Sequence, residues 1–197
     1  MKINSVILEN LKKNNNTITT AQVVELGFSR YLLSKYEKEG LLERERQGVY
    51  ILPHTIHDDM YTLMLRSRKI TFSHDTALFL NGLSERTPFV HSVTIPNNTR
   101  VSKRIQEECI CYYVKPELYQ MGMTLRKTTL GNEVYCYNSE RTICDLLRSR
   151  NRVDEEIVIS AIKNYAVIPD KKLNLLGAYA SKLGVDKVLK QYMEVLL

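Results

Sequence analysis

The stretch TITTAQVVELGFSRYLLSKYEKEGLLERERQGVYIL, residues 17–52, decides the reading of the fold. Thr19 or Thr20 opens a helix to Leu26, because a threonine hydroxyl satisfies an open amide of the first turn. Gly27 ends that helix, since glycine takes the left-handed backbone wanted there at little cost. Phe28 is a core plug in the turn, Ser29 caps a further helix to about Glu39, and Gly40 closes it. Residues 41–52 then change period: two extended runs flank Gln47-Gly48 and read as a hairpin that Pro53 stops. Capped helix, glycine turn, second helix and immediate hairpin, in that order, spell a winged helix-turn-helix that binds duplex DNA.

The second of these helices carries the chemistry. At about 100° per residue, residues 29–39 place Leu32, Leu33 and Tyr36 on one side. Arg30, Tyr31, Ser34 and Lys38 fall opposite, with Lys35 beside them and the acids Glu37 and Glu39 on the flanks. A major groove wants such a surface: cations for phosphates, and arginine, serine or lysine for base edges. A Lys- and Arg-rich helix face is often only a solvated one, so the element order around it carries the argument. In the hairpin, Arg44 and Arg46 share a face beside Gln47 at the tip, suited to backbone phosphates or a minor groove. Glu43 and Glu45 on the alternate face oppose approach from that side. The candidate DNA-binding residues are therefore Thr19, Thr20, Ser29, Arg30, Tyr31, Ser34, Lys35, Lys38, Arg44, Arg46 and Gln47.

Residues 1–53 hold eight Lys and Arg against six Asp and Glu, a net of +2. A single head would bind weakly and salt-sensitively. Two heads acting together on repeated half-sites are expected, from a dimer or from side-by-side monomers.

Outward from this stretch the pattern is mixed. Residues 1–13 read as an amphipathic helix, broken by Asn14-Asn15-Asn16, and residues 53–57 as a linker. Beyond it come a helix over 58–68, a Ser73-capped helix to 81, strands over 90–95 and 109–114, and a hairpin over 123–137 turning at Gly131-Asn132. A Ser139-capped helix to 148 and helices over 154–165, 170–183 and 185–196 follow. The fold class is α+β: a winged helix-turn-helix domain, 1–53, then a mixed α+β domain with C-terminal helices, 54–197.

The 197 residues carry a net charge of +6, which suits a polyanionic partner without identifying one. No apolar run approaches a membrane span, and Lys2, Asn4 and Glu9 interrupt any signal-peptide core, so a cytoplasmic protein with no membrane partner is expected. Cys109, Cys111, Cys136 and Cys144 lack zinc-site spacing and read as reduced core thiols, and the linker histidines His54 and His57 do not make a metal site. No cofactor is expected.

The head, in Thr19-Thr20-Ala21-Gln22, Gly27-Phe28-Ser29, Leu32, Tyr36, Gly40-Leu41-Leu42, Arg46 and Gly48-Val49-Tyr50, resembles the N-terminal domain of AbiEi antitoxins of bacterial abortive-infection systems. Ser73-His74-Asp75-Thr76-Ala77-Leu78 with Asn81-Gly82-Leu83 and Pro88, and Arg141-Thr142-Ile143-Cys144-Asp145-Leu146, resemble two elements of that family's body. The resemblance implies an antitoxin in antiviral defence. It would repress its own operon by binding inverted repeats in the promoter, and would neutralise a nucleotidyltransferase toxin without needing a stable complex, through its C-terminal domain. By residue type alone, Ser73 reads as a cap, Asp75 as a first-turn acid facing the helix dipole, and Arg141 with Asp145 as an i, i+4 ion pair. The basic clusters Arg66/Arg68/Lys69, Arg100/Lys103/Arg104 and Arg148/Arg150/Arg152 are candidates for a surface touching toxin or its RNA.

Two other classes compete. A nuclease body needs carboxylates with a nearby lysine, commonly Asp/Glu-x-Lys on a strand. Only Asp170-x-Lys172 fits, and it opens a helix after Pro169, where it reads as a cap, so no enzymatic activity is expected. A winged-helix regulator with no toxin partner is the other alternative.

Overall fold

The computed structural model describes residues 2–56 and 58–196, except the side chains of Val195 and Leu196. Met1, at the start of the expected first helix, and His57 of the linker pair lie outside the described residues. The chain divides into two compact units, Met1–Arg68 with Lys127–Glu133, and Lys69–Arg126 with Val134–Leu197.

The first unit opens with α1 (Ser5–Lys13), capped by the Asn4 side chain, which accepts from the Val6 amide at 2.9 Å. Asn15 and Asn16 then take positive φ of 47° and 63°, which asparagine tolerates better than most residues. They turn the chain into β1 (Thr17–Thr19), a strand too short for periodicity to signal. Next come α2 (Thr20–Glu25), α3 (Tyr31–Lys38), β2 (Glu43–Arg46) and β3 (Val49–Ile51). The strands form an antiparallel sheet in the order β1-β3-β2. Ile7, Leu11, Ile18, Val23, Leu33, Tyr36, Leu42 and Tyr50 make its core. Each fully buried aliphatic there contributes about 1.5–3 kcal/mol. Tyr36 also accepts from the Asn4 amide at 2.9 Å, so α3 and the start of α1 are fixed by one side chain.

The unit continues past Pro53 through α4 (Asp59–Arg66). Asp58 caps α4 by accepting from the Tyr61 amide at 3.0 Å. Its carboxylate also accepts from the Thr128 hydroxyl and from Asn132 Nδ2, binding the turn 127–133 to this unit. Arg46 donates from its guanidinium to the Thr62 carbonyl. These bonds tie residues on both sides of position 53 into one packed body.

The second unit is built on a five-stranded mixed sheet, order β6-β5-β4-β8-β7. β4 (Thr71–Phe72) runs antiparallel to β5 (His91–Pro96) and parallel to β8 (Glu133–Tyr137), while β5 and β6 (Cys109–Val114) are parallel. α5 (His74–Leu80) follows β4, and α6 (Lys103–Glu108) connects β5 to β6. α7 (Pro116–Tyr119) leads into β7 (Met123–Lys127). Then α8 (Ser139–Arg148), α9 (Glu155–Ala166), α10 (Leu173–Leu183) and α11 (Asp186–Leu196) complete the chain. Leu78, Leu83, Ile143, Leu147, Ile162, Tyr165 and Leu176 lie in the core between these helices. No helix among the described residues is long and apolar enough to cross a membrane.

The α+β class is as expected, and several local details differ. Asn138, not Ser139, caps α8, accepting from the Arg141 amide at 2.9 Å. Ser73 stands at the cap position of α5 but makes no capping bond, because its hydroxyl goes to His74. α10 starts at Leu173, so Asp170 is an exposed turn residue and not its cap. Ser29 lies two residues before α3, where its hydroxyl accepts from the Tyr31 amide at 3.3 Å.

Thr19 caps α2 reciprocally with Gln22: its hydroxyl accepts from the Gln22 amide at 3.1 Å, and its amide donates to Gln22 Oε1 at 2.8 Å. Thr19→Ala removes half of that box and is expected to cost about 1 kcal/mol, read from urea denaturation. An unchanged midpoint would show that the first turn of α2 does not depend on this cap.

Candidate nucleic-acid interface

α2 and α3 are joined by a short turn in which Gly27 has a φ of 83°. On α3 Leu33 and Tyr36 are buried and Leu32 is half-buried, as the helical spacing requires. Opposite them Arg30, Tyr31, Lys35 and Lys38 are exposed and Ser34 is half-buried. Tyr31 is 68% exposed, a large aromatic that the core does not use. Glu37 is half-buried and Glu39 exposed. The face of α3 turned away from the core therefore presents cations, a hydroxyl and a tyrosine.

The remaining head residues divide. Thr19 is committed to the α2 capping box. Thr20 ties the start of α2 to the hairpin turn: its amide donates to the Gly48 carbonyl at 2.9 Å and its hydroxyl does so at 3.3 Å. Gly48, with φ of 77°, is closely apposed, since a Cβ there would lie 3.3 Å from Thr20 Oγ1. Gln47 is exposed at the turn and Ser29 is exposed before α3.

The hairpin differs from strict alternation. Arg44 pairs with Tyr50 and Arg46 with Val49, with a bulge between them. Tyr50 and Val49 are consecutive and point to opposite faces, so Arg44 and Arg46 do not share one. Arg44 is exposed, whereas Arg46 is half-buried with its guanidinium on the Thr62 carbonyl. The structure thus brings Tyr31, Lys35 and Lys38 together on α3 with Arg30 at its N-cap, sets Arg44 and Gln47 on the hairpin, and turns Arg46 inward.

In the second unit the two motif segments form a polar framework. Arg141 has no exposed surface. Its Nε donates to both Asp145 oxygens at 3.0 Å, and its Nη1 to the Leu118 and Met121 carbonyls at 2.7 and 2.9 Å. The guanidinium lies 4.3 Å from the Tyr137 ring centroid. Burial pushes the Asp145 carboxyl up and Arg141 pulls it back down. Asn81 Nδ2 donates to the Ala77 and Tyr137 carbonyls at 2.7 and 2.8 Å, and its Oδ1 accepts from Arg126 Nε at 2.9 Å. These residues hold α5, α8 and β8 together.

His74 is the unusual member. It is buried with φ of 47°, a left-handed backbone that costs a non-glycine residue about 1–3 kcal/mol. Its Nδ1 lies 3.0 Å from Ser73 Oγ and its Nε2 3.0 Å from Ser149 Oγ. Its ring stacks on Tyr112 with centroids 3.4 Å apart. Burial, and then the charges of Arg141, Arg152 and Arg148, push the imidazole down to about 3, so it is neutral at physiological pH. The sequence offered only its place in a first turn, and its partner Ser149 is 75 residues away.

Cys109, Cys136 and Cys144 are buried and Cys111 is half-buried, and burial raises the Cys136 and Cys144 thiols to about 12. Among the described residues no group of three or more His, Cys, Asp or Glu side chains is arranged to hold a metal ion.

Residues 5–53 match the family described as "Transcriptional regulator, AbiEi antitoxin", which supports the resemblance drawn from the head. Over those residues the first unit is similar to AbiEi transcriptional regulators, and its helices α2 and α3 with the turn between them make a helix-turn-helix region. Among solved structures, the crystal structure of RV2827C protein from Mycobacterium tuberculosis is similar at 12% identity, over 91% of this chain and 75% of that one, with a TM-score of 0.59. At that identity the likeness is one of fold. No curated protein matches the chain.

The depressed His74 basicity links stability to pH. Between the ordinary value of 6.5 and about 3, the unfolded chain binds a proton that the folded chain refuses, so stability falls as pH falls through this window. Lowering the pH from about 7 to about 5 is expected to cost about 2 kcal/mol through this group. Urea titrations at the two pH values check it, and His74→Gln should flatten the difference. Equal pH dependence in wild type and variant would assign the effect elsewhere.

Proposed function

We propose that this protein is the antitoxin of an AbiE-type toxin–antitoxin system, a non-enzymatic, cytoplasmic DNA-binding repressor of its own operon. The observation that carries the reading is the exposed basic face of α3, set on a helix-turn-helix within the segment that matches AbiEi regulators. In this reading residues 1–53 form a winged helix-turn-helix. α3 enters the major groove of duplex DNA with Arg30, Tyr31, Ser34, Lys35 and Lys38, and the β2–β3 hairpin is the wing that reaches backbone with Arg44 and Gln47. Ser29, before α3, adds a hydroxyl for phosphate. Thr19 and Thr20 fix the entry of α2 and are near backbone only through that placement, and Arg46 supports the wing from behind.

Two heads, from a dimer or from paired monomers, occupy inverted repeats in the promoter. The modest charge of one head supports pairing, because few phosphate contacts give weak binding at physiological salt. Residues 54–197 neutralise a nucleotidyltransferase toxin, in keeping with the resemblance of their Ser73–Leu83 and Arg141–Leu146 motifs to that family's body, and a stable complex is not required. A regulator without a toxin partner would share the head and differ only in this second activity.

Full-length protein separates the two roles. Arg30→Ala or Lys35→Ala is expected to weaken promoter binding about tenfold or more, the loss of one charge-assisted contact, in a gel-shift titration at fixed salt. Expressed from an unrelated promoter, both variants should still rescue growth against the cognate toxin. Parallel loss of both activities would make these residues structural. A footprint confined to one half-site at saturation would remove the paired-head arrangement.

A further inference from the structure

A cavity of about 300 Å3 lies in the second unit, between the end of α8 and strands β5 and β6. Thr94 and Tyr112 pair in register on the two parallel strands and so line it from one face of the sheet. Thr94 is fully buried, and its hydroxyl has no hydrogen-bond partner among the described residues. A buried hydroxyl in that state calls for something beyond the protein's own groups to complete it. His74 and Ser149 add a hydrogen-bonded pair to the wall.

Two cations stand at the opening. Arg148 and Arg152 are exposed, and neither forms an ion pair with a carboxylate among the described residues. The Arg152 guanidinium lies 4.6 Å from the Tyr112 ring centroid. His74 already covers one face of that ring, so Arg152 lies against the other. The carboxylate on the wall, Asp145, is held through both oxygens by Arg141. The negative end of α8 points here with about half a charge, yet three of its last four carbonyls already accept hydrogen bonds. The Ser149 amide donates to Asp145 and Leu146, and Arg150 Nη1 to Leu147 at 3.1 Å. Two guanidinium charges thus remain in excess, which disfavours a metal ion and favours an anion.

We infer that this cavity binds a small phosphate monoester, its phosphoryl group gripped by Arg148 and Arg152 and completed by the Thr94 hydroxyl. A phosphoryl dianion matches two guanidiniums in charge and in paired hydrogen-bond geometry, where a carboxylate would match one. Both faces of Tyr112 are taken, so the organic part of the ligand does not stack there. The volume suits a sugar phosphate, with any larger substituent leaving through the open side. The neutral His74 imidazole adds no competing charge and positions Ser149. This inference does not depend on the DNA-binding reading, which concerns the other unit.

The test uses the purified full-length protein and calorimetric titration at constant ionic strength with inorganic phosphate, ribose 5-phosphate and AMP, with sodium chloride as the blank. Ribose 5-phosphate and AMP should each bind saturably with one site per chain. Arg148→Gln and Arg152→Gln should each weaken binding about tenfold or more, and Thr94→Val should weaken it without lowering the melting temperature of the unliganded protein. Arg100→Gln and Lys103→Gln, exposed cations outside the cavity, should bind as wild type. Imidazole 15N signals of His74 should move on saturation with ribose 5-phosphate. Absence of saturable binding by either ester, or equal weakening by Arg100→Gln and Arg152→Gln, overturns the assignment. Binding by inorganic phosphate alone also overturns it.

Discussion

A guanidinium with no access to water organises the second unit. Arg141 is charged and fully buried, a placement that costs several kcal/mol unless its donors are met. Two carboxylate oxygens, two backbone carbonyls and an aromatic face meet them, with Nη2 alone lacking a partner among the described residues. The carbonyls belong to Leu118 and Met121, so the same side chain locks the chain between α7 and β7 onto α8. Gly122 makes the approach possible: it has φ of 77°, and a Cβ there would come within 2.7 Å of the Arg141 Cβ. Such a pair adds little net stability, yet removing either partner strands a buried charge. Here the geometry fixed is that of α8, whose far end delivers Arg148 and Ser149 to the cavity beside His74.

The head was legible because its signals are local. Caps and glycines mark the helix ends, and period 3.6 on α3 separates Leu33 and Tyr36 from Arg30, Lys35 and Lys38 before any tertiary contact is known. What escaped were features set by distant partners or by very short elements. β1 has three residues and β4 two, too few for a period to show. The bulge in β2 has no local mark, and it alone separates Arg44 from Arg46. Thr62, whose carbonyl takes the Arg46 guanidinium, lies in a helix beyond the apparent end of the head, so Arg46 read as a wing residue.

The body shows the same division. β6 matched its expected span, Cys109–Val114, because β-branched and aromatic residues fill it. α6 and α7 were not anticipated: each is a single short helix between strands, capped by Ser102 in one case and opened by Pro116 in the other. The Arg141–Asp145 spacing announced an ion pair, but an i, i+4 pair on a helix is ordinarily a surface feature. Its burial follows from Tyr137, Leu118 and Met121, which no window around α8 contains. His74 is legible only as a residue in a first turn, although its backbone strain and its stacking on Tyr112 make it one of the most constrained positions in the unit.

The two groups of cations stand in different settings, and this bears on how one chain could serve the two anionic ligands proposed for it. Those on α3 are exposed and act through solvent, where physiological salt screens a charge within about 8 Å. They suit a large polyanion that gathers many weak contacts and releases counterions. Arg148 and Arg152 stand at a cavity whose inner wall is buried, beside an aromatic ring and a neutral imidazole. Both guanidiniums are themselves exposed, and it is their pairing on one phosphoryl group that suits them to a small dianion. A polyanion held by many contacts loses affinity with rising salt more steeply than a dianion held by two. The net charge of the whole chain, +6, reveals neither. What distinguishes them is the open helix face behind the first group and the buried wall of Thr94, His74 and Tyr112 behind the second.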